Sequence, residues 1–527
     1  MQELFDSGWG LSLIVFIPVL GAVVVAFIPR SFEAGLKWTA LVVSGIALVL
    51  SGIMVALFDF SAADEFQFGV DLSWIDSINA NYHIGVDGIS LWLIVLATLI
   101  TFLVVIYSWD HWPEPHNPKM LLVLMLILGT GMAGTFVALD LILFFVFFEV
   151  VLLPMYFMIG IWGDTEPRTV PIVNWVMEMR LYASIKFFLF TLAGSAFMLL
   201  GFLALYFRSG DVGERTFDIV ELSVLGTTGL FAGTFAFWVF AALFAGFAVK
   251  VPMWPLHTWL PDAHTAAPTV GSVILAAVLL KLGTYGFVRI ALPILPDEAR
   301  NWAWFIGLLA VIGIIYGSLA CLAQTDVKRL IAFSSIGHMG FVMLGIATLT
   351  AVGINAAIIG MVAHGLITGL LFFLAGSMSH RYHTRDMRLL GGQMRLLPRM
   401  GVLLGFAAMA SLGLPALAGF WGEFMALLGS FEPLEGLNES VFRTFMVIGA
   451  VGTVLTAGYM LWMLRSVNFG DAPAKWLGAD LQDVDTYEWL AWAPLVLAII
   501  ALGVYPDLVL GATNEAVVSL VASAFGG

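Results

Sequence analysis

The chain has 527 residues, a formal net charge of −14 at pH 7, and a composition of 61% hydrophobic and 11% charged residues. A soluble domain is about one-quarter charged, so this composition excludes an ordinary soluble protein and predicts a polytopic membrane protein. The single cysteine, Cys321, excludes an intrachain disulfide, a thiolate-held iron–sulfur cluster and a cysteine-based zinc site. The acidic balance indicates no nucleic-acid partner.

Apolar windows of about 20 residues predict about fourteen membrane-spanning helices in an all-α fold. Their centres lie near residues 20, 47, 96, 128, 150, 194, 240, 280, 312, 340, 367, 416, 453 and 500. Arginine and lysine are concentrated in every second connection, which by the positive-inside rule predicts that both termini lie on the periplasmic side.

Glu149 is the first charge expected at membrane depth, because eight apolar residues precede it and four follow. Placing an ionisable side chain in a bilayer costs about 2.5 to 3.5 kcal/mol or more, so it is rarely there without a partner or a function. Glu149 is therefore predicted to carry a proton or an ion. The structural alternative is a polar anchor between helices.

Lys250 follows residues 238–249, which contain no polar side chain. Pro252 and Pro255 come next and cannot continue a regular helix, so they predict a helix broken inside the membrane, with free carbonyls lining a hydrated cavity. An acid that gains and loses a lysine partner can be made to bind and release a proton, and Lys250 is the expected partner of Glu149. The alternative is a helix-end lysine that extends to the interface.

A second break is predicted near Pro415, where Gly413 and Pro415 interrupt an apolar stretch and the lone carboxylate Glu423 follows. Interrupted helices at corresponding positions of two halves are typical of inverted-repeat transporters. The structural alternative is a glutamate at the edge of a loop.

Three further polar residues are predicted inside spans, and they are Lys281, His338 and His364. For each histidine, a structural hydrogen-bonding role is an equal alternative. Proton relays in membranes are built from such acid, base and imidazole groups together with water. The complete predicted series is Glu149, Lys250, Lys281, His338, His364 and Glu423.

Four sequence runs carry a specific resemblance: residues 247–272 around Lys250, 279–286 around Lys281, 328–340 around His338, and 363–365 around His364. With these runs, and over all the predicted spans, the chain resembles the antiporter-like membrane subunits of respiratory complex I, the proton-pumping NADH:quinone oxidoreductase. The resemblance implies proton translocation driven by quinone chemistry in other subunits.

Two features favour the M-type branch of that family. Relatives commonly carry a lysine in the second broken helix, whereas this chain has Glu423. The L-type chain also continues into a long lateral helix, and this chain ends soon after Pro506. The alternative that remains is a subunit of a multisubunit sodium/proton antiporter, and a membrane anchor subunit of a hydrogenase-like complex would share the fold.

The resemblance also implies a domain organisation. Residues 1–117 form a three-helix segment, residues 118–292 and 302–466 form inverted five-helix repeats that are half-channels, and residues 467–527 form a loop and a last helix. Within it, Glu149 and Lys250 are implied to be a switching ion pair and Lys281 the central connection.

For the remaining stations the resemblance implies that His338 and His364 are relays and that Glu423 is the terminal group. His257, beside the first broken helix, resembles a family position near the inside entry of the channel. Residues 169–179, with Glu178, are an apparent insertion, and Lys186 is expected to have a helix-end or supporting role.

The resemblance implies no cofactor and no metal in this chain, with flavin, iron–sulfur clusters and quinone in partner subunits. The implied partners are other membrane-arm subunits, especially the L-type and N-type antiporter-like subunits. The implied location is the bacterial plasma membrane.

Overall fold

The computed structural model describes residues 1–170 and 175–526, which are mostly helical. The α-helices of these residues are α1 Gln2–Asp6, α2 Trp9–Phe27, α3 Glu33–Leu57, α4 Leu91–Tyr107, α5 Pro118–Val137, α6 Leu141–Val150, α7 Leu152–Trp162, α8 Met179–Ser209, α9 Ile219–Thr227, α10 Gly233–Lys250, α11 Trp259–Ala266, α12 Thr269–Ile274, α13 Leu280–Gly286, α14 Leu292–Ile294, α15 Pro296–Leu322, α16 Val327–Ala347, α17 Ala351–Tyr382, α18 Gln393–Leu396, α19 Pro398–Ser411, α20 Ala418–Phe431, α21 Glu439–Val467, α22 Thr486–Val504 and α23 Asp507–Phe525. Among the described residues, thirteen helical segments are long and apolar enough to cross a membrane, which confirms the predicted polytopic membrane fold.

Two small antiparallel hairpins accompany the helices, and the sequence analysis did not predict them. Strands β1 Gln67–Ile75 and β2 Ala80–Val86 form the larger one. Strands β3 Pro167–Thr169 and β4 Val176–Glu178 form the smaller one; β3 ends where the apparent insertion at residues 169–179 begins, and β4 lies inside it. Positions 171–174 of that insertion lie outside the described residues.

The larger hairpin marks one face of the molecule, which we name the hairpin face. The His83 carbonyl in β2 accepts a hydrogen bond from the Leu139 amide at 2.9 Å, in the connection between α5 and α6. The Asn79 side chain donates to the Arg215 carbonyl at 3.0 Å, beyond the end of α8. The connections at the other ends of these helices form the opposite surface, which we name the loop face.

Helix α23 has the length and composition of a membrane span, but its contacts place it along the hairpin face. Asn514 in its first half bonds Asn355 at the start of α17 at 3.0 Å. The Phe525 carbonyl at its end accepts from Arg300 at the start of α15 at 2.5 Å. Both contacts are with helix ends on one face, so α23 runs laterally. The sequence analysis expected one helix after residue 467, and this expectation is wrong.

Without α23, twelve of the thirteen candidate spans in the described residues remain as membrane crossings, and two further elements add to this number. One is α4, which is slightly shorter, and the other is the broken pair α19 and α20. Together they make fourteen crossings in the described part of the chain, as the hydropathy pattern predicts. The count holds because each connection alternates between the two faces.

Both predicted helix breaks are present. Helix α10 ends at Lys250 and α11 begins at Trp259, while α19 ends at Ser411 and α20 begins at Ala418. The Trp259 indole donates to the Val249 carbonyl at 2.9 Å, which satisfies one of the backbone groups that the first break leaves free.

Three helical segments form the inner layer of the molecule. The apolar windows of Thr269–Ile294, α16 and α17 are 100%, 94% and 94% buried, against 33% for the outer helix α3. The inner segments carry Lys281, His338 and His364. Protein rather than lipid therefore surrounds these three side chains.

Candidate functional site

Lys281 occupies the centre of the inner layer and is fully buried. Its Nζ donates to the Ala276 carbonyl at 2.5 Å and to His364 Nδ1 on α17 at 2.6 Å. Both acceptors are uncharged, so these contacts solvate the ammonium without neutralising it. A buried ammonium held in this way can release its proton to the imidazole more readily than one paired with a carboxylate.

Two π-helical turns flank the segment that carries Lys281. They span Leu275–Leu279 and Phe287–Ala291, on either side of α13. Such turns are rare and occur frequently at functional sites. The lysine side chain reaches back to a carbonyl within the first turn, so local backbone irregularity and site geometry coincide.

His364 continues the line toward the second helix break. Its ring centroid lies 5.8 Å from that of His338 on α16. His338 Nδ1 is 2.8 Å from Glu423 Oε1, and its Nε2 is 3.0 Å from Ser411 Oγ. The tautomer of His338 follows from these partners, since one ring nitrogen must donate and the other accept when the ring is neutral.

A cavity of about 30 Å³ joins these groups. Its lining includes His338, His364, Thr368, Ser411, Gly422 and Glu423. Within the described residues, His364 Nε2 is buried without a hydrogen-bond partner. A cavity of this size has room for about two water molecules, which would supply that partner and bridge the two imidazoles.

Glu149 and Lys250 do not form a direct ion pair here: no nitrogen–oxygen contact within 4 Å joins these two described side chains. Lys250 Nζ instead lies 4.7 Å from the centroid of the Phe148 ring, a cation–π distance. Lys250 is buried, whereas Glu149 is half-buried. The role of these two residues as a switching pair stays a prediction.

Lys250 nevertheless lies beside the segment that carries Lys281. A Cβ added at Gly283 would lie 3.0 Å from Lys250 Cβ and 2.7 Å from the Phe247 carbonyl. Glycine at this position lets α13 pass α10 at backbone distance. The helix that carries Lys281 therefore packs directly against the end of α10, where the first break begins.

His257 lies in the break between α10 and α11, apart from the series of contacts that runs from Lys281 to Glu423. Its ring packs edge-on against Tyr316 with centroids 4.8 Å apart, and its Nδ1 lacks a partner among the described residues. It makes no hydrogen bond to the six predicted stations in this part of the chain. Its role near the inside mouth of a half-channel stays a prediction.

Asp262 is a functional candidate that the sequence analysis missed. The carboxylate is buried, with Arg168 at 2.7 Å and Lys186 at 2.8 Å. Lys186 therefore pairs with a residue of α11, and its helix-end or supporting role stays a prediction. The signal was present in the sequence, since Asp262 lies in the long run around Lys250, but only its neighbours in space show what it holds.

His264 is the second residue that was missed. It is fully buried, stacks on Phe372 with centroids 4.4 Å apart, and neither ring nitrogen has a partner in the described region. Its position between the loop face and Lys281 makes it a candidate for proton uptake. A lone histidine in a motif gave no sign of that depth.

Comparison with known proteins identifies the family of this chain. A family model described as NADH:quinone oxidoreductase/Mrp antiporter, transmembrane, matches residues 138–456. Subunit M of NADH-quinone oxidoreductase from Rhodobacter capsulatus is 40% identical over 521 residues, which cover 97% of this chain and 96% of that protein. The chain belongs to the subunit M family. The resemblance inferred from the sequence is confirmed, and with it the integral membrane character of the chain.

Solved structures agree with membership of the subunit M family. Respiratory complex I from Thermus thermophilus with bound NADH contains a chain with a TM-score of 0.82 and 25% identity, covering 98% of this chain and 99% of that one. The Mrp complex from Dietzia sp. DQ12-45-1b contains one with a TM-score of 0.80 and 21% identity, covering 98% and 97%. This second likeness shows a shared fold alone.

Proposed function

We propose that Lys281, His364, His338 and Glu423 form the central proton relay of this chain. As a member of the subunit M family, the chain is a proton-pumping membrane-arm subunit of NADH:quinone oxidoreductase, and its partners are the other membrane-arm subunits. The observation that supports the relay is its continuity: the contacts run from Lys281 to His364 at 2.6 Å and from His338 to Glu423 at 2.8 Å, with one cavity between the imidazoles.

The relay works by moving a proton between groups that can each hold one. The Lys281 ammonium donates to His364 Nδ1, so transfer leaves a neutral amine and an imidazolium. The imidazolium then donates its Nε2 proton across the cavity to His338. The Nδ1 atom of His338 contacts the Glu423 carboxylate. Moving one charge against ~100 mV costs about 2.3 kcal/mol, a size that making or breaking one partly buried ion pair can supply.

Glu149 and Lys250 form the proposed switch. When Lys250 approaches Glu149, the carboxylate offsets the positive charge of Lys250. Lys281 then feels less repulsion and can hold its proton. When Lys250 stays on the Phe148 ring, its positive charge beside α13 drives the Lys281 proton toward His364. The absence of a direct Glu149–Lys250 ion pair in this structure supports the second state. For His257 we propose a position on the side from which protons are taken up.

The repeats and the orientation belong to the same proposal. Residues 118–292 and 302–466 each contain five crossings with the break in the fourth, as inverted half-channels require. We place the hairpin face and both termini on the periplasmic side of a bacterial plasma membrane, because the connections of the loop face carry most of the cations. Flavin, iron–sulfur clusters and quinone are placed in partner subunits.

The relay is tested with His364→Leu in the complex reconstituted into vesicles. We expect NADH-driven proton uptake to fall at least about tenfold, because the leucine fills the site without carrying a proton. The matched control is His383→Asn, at the exposed end of the same helix, where asparagine tolerates the left-handed backbone (φ 47°). Normal pumping in the His364 variant, or equal loss in the control, would remove His364 from the relay.

The assignment to an oxidoreductase is tested separately by affinity purification of the tagged chain in mild detergent. We expect inhibitor-sensitive NADH:quinone activity to purify with it. Recovery of other polytopic subunits alone, without that activity, would favour the alternative of a sodium/proton antiporter.

A further inference from the structure

Three residues from distant parts of the sequence meet at the loop face. His111 Nε2 lies 3.1 Å from Asp485 Oδ2 and 3.6 Å from Glu488 Oε1, and the three atoms all lie within 4.8 Å of one another. Ligand atoms bound at 2.0 to 2.1 Å in a tetrahedral metal site are about 3.3 Å apart. The three atoms therefore occupy positions close to three corners of such a site.

The orientation of His111 is a second and independent observation. Its Nδ1 lies 3.2 Å from the Tyr107 carbonyl at the end of α4, and its side chain is 10% exposed. A ring that donates its Nδ1 proton to this carbonyl presents the lone pair of Nε2 to the carboxylates. Metal-binding histidines are oriented by this kind of contact. The contact of Nε2 with the two carboxylate oxygens needs either a proton on Nε2 or a metal ion between the three atoms, and the zinc-binding test below distinguishes these two occupants.

The two carboxylates are held in place by other contacts. Asp485 Oδ1 accepts from the Glu488 amide at 2.9 Å and caps α22, which leaves Oδ2 free for a ligand. Glu488 is fully buried and accepts from Arg381 at 2.7 Å on each oxygen. Arg381 supplies one positive charge against the two negative charges of Asp485 and Glu488, so the carboxylates offer an excess negative charge to a cation.

We propose that His111, Asp485 and Glu488 bind a divalent cation of the zinc class. Imidazole nitrogen with carboxylate oxygen suits zinc, whereas calcium and magnesium prefer all-oxygen shells of six or more ligands. The fourth position is open to water, because Asp485 is 37% exposed and a cavity of about 80 Å³ adjoins His111. This site departs from the expectation of no metal in the chain.

The site would tie the α4–α5 connection to the start of α22, next to the end of α17. It lies outside the proposed relay, so its occupancy can be measured without reference to pumping.

The test compares binding of radioactive zinc to purified complexes that have been treated with chelator. We expect the wild-type complex to bind about one zinc ion that excess magnesium does not displace. His111→Gln should weaken that binding at least about tenfold, since glutamine can keep the bond to Tyr107 but ligates zinc poorly. Asp485→Asn, which keeps the helix cap, should have the same effect.

The matched control is His116→Gln, which alters an exposed imidazole in the same connection that pairs with Glu33 at 2.8 Å. It should bind zinc like the wild type. Equal zinc binding by wild type, His111→Gln and Asp485→Asn would overturn the proposal, as would equal loss in the control. Should the variants fail to assemble, a cryo-EM map of the zinc-treated wild-type complex decides: density among the three side chains supports the site, and its absence overturns it.

Discussion

Lys281 and His364 lie on different helices, yet the lysine Nζ donates a hydrogen bond to the histidine Nδ1 across 2.6 Å in a fully buried setting. An ammonium and an imidazole at this distance can share or exchange a proton without any movement of the backbone. The contact converts two lone polar residues, each open to a structural interpretation in the sequence, into one chemical unit.

Lys281→Arg should abolish most proton pumping although it keeps the positive charge. A guanidinium is not deprotonated in proteins, so it cannot pass a proton to His364. We expect at least about a tenfold drop in vesicle acidification per NADH oxidised. Lys475→Arg, an exposed cation lying over Trp476, is the control and should pump normally. Normal pumping by Lys281→Arg would mean that charge alone is needed there.

Glu423→Gln should also depress pumping strongly, because the amide can still meet His338 but cannot take up a proton. Glu423→Lys should retain more activity than Glu423→Gln, since an amine can bind and release protons. Both are measured as proton uptake driven by NADH:quinone turnover, with the amount of complex matched through its NADH oxidation by an artificial acceptor. Glu435→Gln, an exposed carboxylate on the hairpin face, is the control. Identical activity of the two Glu423 variants would contradict a proton-carrying role.

Arg289→Leu should destabilise the protein by about 3 to 5 kcal/mol, because it leaves Asp87 as an uncompensated buried charge. The pair is 2.5 Å apart and its side chains are only 7% and 3% exposed. Adding Asp87→Asn, which removes the charge but keeps an acceptor for the Ile89 and Ser90 amides, should restore much of the loss. Arg443→Leu breaks an exposed pair with Glu439 and should cost less than about 1 kcal/mol. Thermal unfolding in detergent distinguishes these outcomes, and equal shifts for both arginines would refute the argument.

Gly422→Ala should displace Glu423 from the relay. An added Cβ would lie 2.7 Å from Gly360 Cα, a backbone atom on α17 that cannot move aside alone. We expect lower thermal stability, in the range of about 1 to 3 kcal/mol for overpacking, together with reduced pumping. Gly458→Ala meets nothing within 4 Å and should be neutral or slightly stabilising. A stable, active Gly422→Ala protein would show that the two helices can separate at no cost.

The larger hairpin should weaken as pH rises. Burial by itself lowers the pKa of His83, but the hydrogen bond and charge of Asp218 outweigh it and raise the pKa above 6.5. A raised folded-state pKa contributes stability below the unfolded pKa and loses it as pH rises through the folded pKa. Hydrogen exchange of β1 and β2, corrected for intrinsic rates, should therefore show less protection at about pH 9 than at about pH 6. His83→Gln should remove this pH dependence, and an unchanged dependence would contradict the assignment.

The amino-acid sequence by itself determined the spans, both helix breaks and the residue types of the relay. These properties are local: hydropathy over about 20 residues decides whether a segment can cross a bilayer, and proline removes a backbone donor wherever it stands. A buried charge such as Lys281 is visible in sequence because its neighbours are all apolar. The family resemblance rested on equally local runs of residues.

Tertiary structure alone decided which of these groups touch. His338 and Glu423 are 85 positions apart and Asp87 and Arg289 are 202 apart, so their contacts depend on how helices pack and not on any periodicity within one segment. The same holds for α23, whose composition fits a span while its neighbours place it laterally. Glu149 and Lys250 show the converse, because these two residues suited to pair by charge make no direct ion pair, and the lysine lies over the Phe148 ring.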